Sequence, residues 1–304
     1  MGMRTTTKVL LGMLACALLG GLFVYRKYAG GGDPFTVRIE GEGEVLRKQA
    51  PVMGTVLRRV QLSLVVQGSQ RTALLLLPQK PAPGTKYPLV FVLHGDGGTA
   101  DGFHEGFSFE RGSGEEAILV YPDGRGRTWD LDSQGQGPDL QFMDALLDKI
   151  KSEYPIDTEQ LFAVGYSSGG FLANLMACHR PGLLRGISSS AGGAPYKRTE
   201  SWPNGFPKCP GQRPTPALVM HGTLDFGVTL SSGKFDAAYW AYINQCDTRT
   251  WETTGYEECR AYRGCARGAP VAFCEIPPLG HWVWSSGAEA SWSFFRALRG
   301  LPRP

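Results

Sequence analysis

The stretch Gly165-Tyr166-Ser167-Ser168-Gly169 breaks an apolar run, Leu161-Phe162-Ala163-Val164, and leads straight into the helical pattern GGFLANLMACHR (169–180). A serine with glycines two before and two after, at a sharp strand-to-helix turn, is held in a strained backbone conformation with its hydroxyl aimed away from the sheet. Glycine suits those two places because neighbouring chain passes too close for a side chain. Such a hydroxyl is a candidate nucleophile for an acyl carbonyl. It then needs a base to take its proton and an acid to orient that base.

Both partners follow strand-like runs. After PALVM (216–220) comes HGTLDFG, which offers Asp225, and after VAFCEIP (271–277) comes PLGHWVW, which offers His281. Ser167 is expected to attack. His281 takes its proton and returns it to the leaving alcohol, and Asp225 fixes the imidazole tautomer and stabilises its cation. Asp236 and Asp247 are alternative acids, less well placed because they lie within or just after a helical pattern at 235–246. Of the five histidines, His179 ends a helix, where it complements the dipole, and His94 and His221 precede glycines at strand ends, where they make structural hydrogen bonds. His104 is expected in a solvated loop. An oxyanion site is expected at VLHGDGG (92–98), with the amides of Ser168 and Asp96, or alternatively Gly97, as donors. Losing one such donor typically removes ~3 kcal/mol of transition-state stabilisation. The Asp96 side chain must then point away from the developing negative charge.

The elements that must position these groups are strands near 56–66, 72–77, 89–93, 117–121, 161–164, 183–191 and 216–220, with helices at 139–154, 169–180, 235–246 and 289–300 and a hairpin region before the last helix. Residues 139–154 carry apolar side chains at helical spacing. Apolar strands alternating with helices predict a mostly parallel central sheet with helices on both faces, and reactive groups in loops beyond the carboxyl ends of its strands. The chain order Ser167, Asp225, His281 resembles that of the α/β-hydrolase scaffold.

Of the 304 residues, 42% are hydrophobic and 19% charged, enough for a core that needs no metal or cofactor to fold. Residues 1–32 are expected to be a signal peptide or an N-terminal membrane anchor, with Arg4 and Lys8 ahead of the apolar run VLLGMLACALLGGLFVY (9–25) and Arg26-Lys27 behind it. Residues 33–55 read as an irregular lead-in and 56–304 as one catalytic domain. Four of the 31 basic residues lie in the first 32 positions, so 27 basic face 28 acidic beyond them; the charge pattern carries no nucleic-acid signature. Either reading of the N-terminus exports the remainder, to the periplasm or the cell exterior, with the membrane touched only through an uncleaved first segment. On an exported chain, Cys178, Cys209, Cys246, Cys259, Cys265 and Cys274 read as three disulfides. A zinc site lacks the paired C-x-x-C or nearby histidines it needs. Cys259 and Cys274 stand symmetrically about the turn GCARGAP (264–270), where a hairpin would face them; Cys246–Cys265 and Cys178–Cys209 are then one arrangement of the rest among the 15 open pairings.

With these residues in place the chain resembles the polyhydroxybutyrate depolymerase and feruloyl esterase branch of secreted α/β-hydrolases. The matching stretches are PLVFVLHGDGG (88–98), ILVYPDGRGRTWD (118–130), DLQFMDALLDKIKSEYPID (139–157), LFAVGYSSGGFLANLMACHRP (161–181), VMHGTLDFGV (219–228) and GHWVW (280–284). YWAYINQC (239–246) and YRGC (262–265) also fit the family pattern, which implies Cys246–Cys265. The resemblance implies hydrolysis of carboxylic esters, often polymeric (polyhydroxyalkanoate, feruloylated or acetylated xylan), with no metal or cofactor. This chain departs from the family at Asp96, at Ser168 and at Trp282-Val283-Trp284-Ser285, which bears on substrate rather than on the three reactive side chains. Trp129, Trp282 and Trp284 are candidate walls for an aromatic or sugar-bearing ester. Two other readings of the same chain are an acyltransferase on this scaffold and an anchored, catalytically idle interaction protein.

Overall fold

The computed structural model describes residues 38–42, 45–195 and 200–304; the segment expected to be a signal or anchor lies outside them. Eleven strands are described: β1 (Arg38–Glu42), β2 (Arg58–Val66), β3 (Ser69–Leu77), β4 (Tyr87–Leu93), β5 (Ile118–Pro122), β6 (Ile156–Tyr166), β7 (Gly186–Ser190), β8 (Ala217–Gly222), β9 (Asp247–Thr253), β10 (Cys259–Arg263) and β11 (Val271–Ile276). The helices are α1 (Ala100–Gly106), α2 (Glu110–Ser113), α3 (Pro138–Glu153), α4 (Ser168–His179), α5 (Leu230–Ile243) and α6 (Gly287–Leu298).

The strands form one sheet in the order β1-β9-β10-β11-β8-β7-β6-β4-β5-β3-β2. From β11 through β8, β7, β6 and β4 to β5 every pairing is parallel. On one flank β3 and β2 add antiparallel, and on the other β10 and β9 do. The sequence explains this division. β4, β5 and β8 are buried at every residue, as strands covered on both faces must be. β2 mixes exposed and buried positions as an edge strand does. On one face α3, α4 and α5 cover the sheet, with Leu140, Met143 and Ile150 of α3 and Trp240 of α5 in the core. On the other, α1 and α6 contribute Phe103, Trp292 and Phe295. Phe295 stacks on Phe162 of β6 at 4.3 Å between centroids.

The disulfides join Cys178 to Cys209, Cys246 to Cys265 and Cys259 to Cys274. Cys259 and Cys274 are register partners across the antiparallel β10–β11 pair, where the symmetry about the 264–270 turn had set them opposite. Two segments differ from their sequence reading. The lead-in expected to be irregular contains β1, which pairs in parallel with β9, and its Leu46 is fully buried. The stretch after β4 carries α1 and α2, helices of 7 and 4 residues, too short to show a hydrophobic period.

Candidate active site

β6 lies near the middle of the sheet, and the chain turns from its last residue, Tyr166, into α4 through a single residue, Ser167. Ser167 adopts φ 53° and ψ −121°, a region that costs a non-glycine residue about 1–3 kcal/mol. Surrounding structure holds it there: its amide donates to the Ser190 carbonyl at 2.9 Å, and its carbonyl accepts from the Phe171 amide at 3.1 Å. A Cβ on Gly165 would overlap the Gly169 carbonyl, and one on Gly169 would overlap the Leu93 carbonyl at the end of β4. Both glycines of the motif are thus dictated by contact between β6, α4 and β4.

Three loops at the carboxyl ends of β6, β8 and β11 bring Ser167, Asp225 and His281 together. His281 Nε2 stands 3.0 Å from Ser167 Oγ, and His281 Nδ1 stands 2.8 Å from Asp225 Oδ2. Asp225 is buried, and its Oδ1 accepts the amides of Gly227 and Val228, both at 2.9 Å. A carboxylate only accepts, so Nδ1 of His281 carries the hydrogen and Nε2 turns its lone pair to the serine hydroxyl. Beneath Asp225, His221 Nε2 donates to the Val228 carbonyl at 2.7 Å and lies 3.3 Å from Asp225 Oδ2. Burial pulls the His221 pKa down, so this second histidine supports the loop as a neutral donor. Tyr166 donates its hydroxyl to the His281 carbonyl at 2.8 Å. Burial first, then the Asp225 charge, push the Tyr166 phenol up to about 12.

The loop after β4 closes against Tyr166 and Ser167. A Cβ on Gly95 would come within 2.8 Å of the Tyr166 ring and 3.1 Å of Ser167 Cβ. The Asp96 side chain is exposed and accepts from Thr128 Oγ1 at 2.6 Å. The Ser168 amide, at the first position of α4, has no acceptor within the helix. Gly97, an alternative donor in the sequence reading, is corrected: its amide is directed at the Arg127 carbonyl at 2.7 Å. His94 donates from Nδ1 to the Gly95 carbonyl at 2.7 Å and accepts the Gly124 amide on Nε2 at 3.0 Å, the structural role its position suggested. Its pKa is lowered by burial.

Among the tryptophans, Trp129 is also corrected. It is buried with its ring 4.6 Å from that of His94, and its indole nitrogen donates to the His94 carbonyl at 2.7 Å, so it braces the loop after β4 from behind. Trp284 is buried against Tyr256. Trp282 alone of the three is exposed, its ring 5.1 Å from that of Tyr166. A cavity of about 670 Å³ is lined by Phe107, Arg111, Pro278, Trp282 and Trp284 among others; neither Ser167 nor His281 lines it.

The alternative acids lie elsewhere. Asp236 is fully buried in α5 and accepts from Asn174 Nδ2 at 3.1 Å; Asp247 opens β9 and accepts from Arg249 and Thr250. His104, expected in solvent, is mostly buried, with Nε2 2.7 Å from Glu110 Oε1 and Nδ1 accepting from Arg59. It lies in α1 rather than in a loop, and it has two charged partners, one 45 residues away in β2. Among the described residues no three His, Cys, Asp or Glu side chains gather as metal ligands, and no helix is long and apolar enough to cross a membrane. Sequence reasoning missed Tyr166, although it adjoins Ser167, whereas His221 makes the structural hydrogen bond its strand-end position suggested.

A mostly parallel sheet with helices on both faces and a strained serine at the end of a central strand define an α/β-hydrolase. Residues 65–254 match the family model described as "Putative esterase"; the chain belongs to that esterase family and is a carboxylic ester hydrolase. It is 28% identical over 251 residues to "Feruloyl esterase C" of Emericella nidulans, spanning 77% of this chain and 86% of that one. It is 29% identical over 252 residues to "Probable feruloyl esterase C" of Aspergillus niger, spanning 77% and 86%. The solved structure "Acetyl xylan esterase from Aspergillus awamori" shares the fold, with a TM-score of 0.59 at 17% identity over 78% of this chain and 99% of that one.

Proposed function

We propose that the protein is an exported serine esterase that works through an acyl-enzyme on esters of the plant-cell-wall or polyester type. The observation that carries this reading is the unbroken chain from Ser167 Oγ through His281 to a buried Asp225, at a serine the backbone holds under strain. Ser167 Oγ adds to the ester carbonyl carbon while its proton passes to His281 Nε2. The carbonyl oxygen, now an anion, accepts from the amides of Ser168 and Asp96. His281 then gives its proton to the leaving alcohol oxygen as the carbon–oxygen bond breaks, and the acyl group stays on Ser167. Water, deprotonated by the same Nε2, repeats the addition and frees the acid. Trp282, the exposed tryptophan of the three candidates, walls the substrate side.

Relatives named feruloyl esterase and a structural neighbour named acetyl xylan esterase favour aromatic or acetyl esters of wall polysaccharides. Three disulfides and the apolar, basic-flanked N-terminal segment favour an oxidising, external compartment. A panel of methyl ferulate, acetylated xylan, short p-nitrophenyl esters and polyhydroxybutyrate tests the reading. Turnover of at least one of these, abolished in Ser167→Ala, is expected; no turnover of any by native protein overturns it.

A further inference from the structure

The two loops that carry the acid and the base are unusual in composition. Residues 222–233 (GTLDFGVTLSSG) and 277–288 (PPLGHWVWSSGA) contain no ionisable side chain other than Asp225 and His281. At their surface stand large apolar groups: Leu224 is 49% exposed, Phe226 89% and Trp282 49%. Phe226 is the most exposed large apolar side chain among the described residues.

Their positions are fixed relative to the reacting atoms. Leu224 and Phe226 bracket Asp225, and Trp282 follows His281. The two loops lie side by side: the Leu224 amide donates to the Leu279 carbonyl at 2.9 Å, and a Cβ on Gly227 would touch the His281 ring at 3.0 Å. The three apolar groups therefore stand on the two loops that carry Asp225 and His281, not on the segments that carry the Ser168 and Asp96 amides. That side of the site has a definite partner in the chemistry. His281 Nε2 must reach the leaving oxygen to protonate it, so the group attached to that oxygen passes over His281, while the carbonyl oxygen faces the amides. A sugar there needs hydrogen-bond partners for its several hydroxyls, and exposed Leu and Phe supply none.

We infer that Leu224, Phe226 and Trp282 contact the alcohol half of the ester, and that the alcohol this site takes best is an apolar alkyl chain rather than a bare sugar. The inference rests on the esterase reading above and narrows its substrate class. It is tested with one acyl group and a varied alcohol: methyl, butyl and octyl ferulate and a ferulate ester of arabinose, on wild type and on the double variant Leu224→Ser/Phe226→Ser. In wild type kcat/KM is expected to rise at least ~10-fold from methyl to octyl and to be lower for the arabinose ester than for octyl. In the double variant the octyl-to-methyl ratio should fall below about 3-fold; being a ratio within one protein, it cancels any general loss of activity. Ester hydrolysis with a flat alkyl series, a series unchanged in the double variant, or a preference for the arabinose ester overturns the alcohol-side assignment alone. No hydrolysis of any ester overturns the esterase reading and the assignment with it.

Discussion

The Tyr166 hydroxyl donates to the main-chain carbonyl of His281 at 2.8 Å, so the residue before the candidate nucleophile grips the backbone of the candidate base. Tyr166 also fills the space against Gly95, where a Cβ would meet its ring at 2.8 Å. One side chain thus links the ends of β4 and β6 with the His281 loop. Tyr166→Phe keeps the ring and removes the tie. Freeing the loop should lower kcat by roughly 10-fold, about 1.4 kcal/mol, with little change in KM, because the tie positions the base and not the substrate. Steady-state kinetics on a short p-nitrophenyl ester measure it; unchanged kcat would show the tie is idle. With its phenol pushed up to about 12, Tyr166 keeps its proton throughout any ordinary assay, so the deficit of the variant should not vary between pH 6 and roughly 10.

Asp225→Asn should lower turnover by about 10⁴-fold with the fold intact. The amide of asparagine can donate where the carboxylate only accepts, which favours the imidazole tautomer with its hydrogen on Nε2, facing Ser167. Comparable turnover in variant and wild type would show that the acid lies elsewhere. Asp236, its sequence rival, is excluded by its burial against Asn174.

The Gly169 contact predicts a structural failure. A Cβ there overlaps the Leu93 carbonyl, backbone that cannot rotate aside, so α4 would have to shift from β4. Gly169→Ala should destabilise the protein by roughly 3 kcal/mol or more, read as a large drop in melting temperature. A melting temperature within a degree of wild type would mean the contact yields easily.

Asp236 supplies a pH signature. Desolvation raises its carboxyl from the usual 3.8 to about 7, against the lowering effect of Asn174, Ser189 and Trp240. Between those two values the folded chain holds a proton that the unfolded chain has released. Stability from this group is therefore fully present below about pH 4 and is lost as pH rises through 7. Relative to Asp236→Asn, wild type should lose on the order of 1 kcal/mol per pH unit across that window, and the gap should then stay constant above it. Denaturant melts at pH 4.5, 6 and 8 measure the gap; a gap that does not change with pH contradicts the assignment.

How legible the site was in the sequence depended on whether a role is local. Ser167 announces itself because the glycines its turn requires sit two residues either side. Asp225 and His281 stand out because parallel strands present their loops at one rim, so chain order together with strand ends narrowed the choices. Roles set by distant partners were not legible. Trp129 looks like a surface tryptophan beside a glycine-rich turn, yet its nitrogen meets a carbonyl 35 residues away. The Gly97 amide is taken by Arg127, and His104 is claimed by Glu110 and by Arg59 of β2. The helices α1 and α2 escaped notice because seven and four residues hold too few turns to display a period.

The central claim is that Ser167 is a nucleophile activated by its neighbours, and covalent labelling tests it most directly. Incubation of native protein with a fluorophosphonate, followed by intact-mass and peptide mapping, should give one adduct, on Ser167, that is absent in Ser167→Ala and much slower to form in His281→Ala. An unlabelled native protein, or an adduct on another residue that survives Ser167→Ala, would contradict the account.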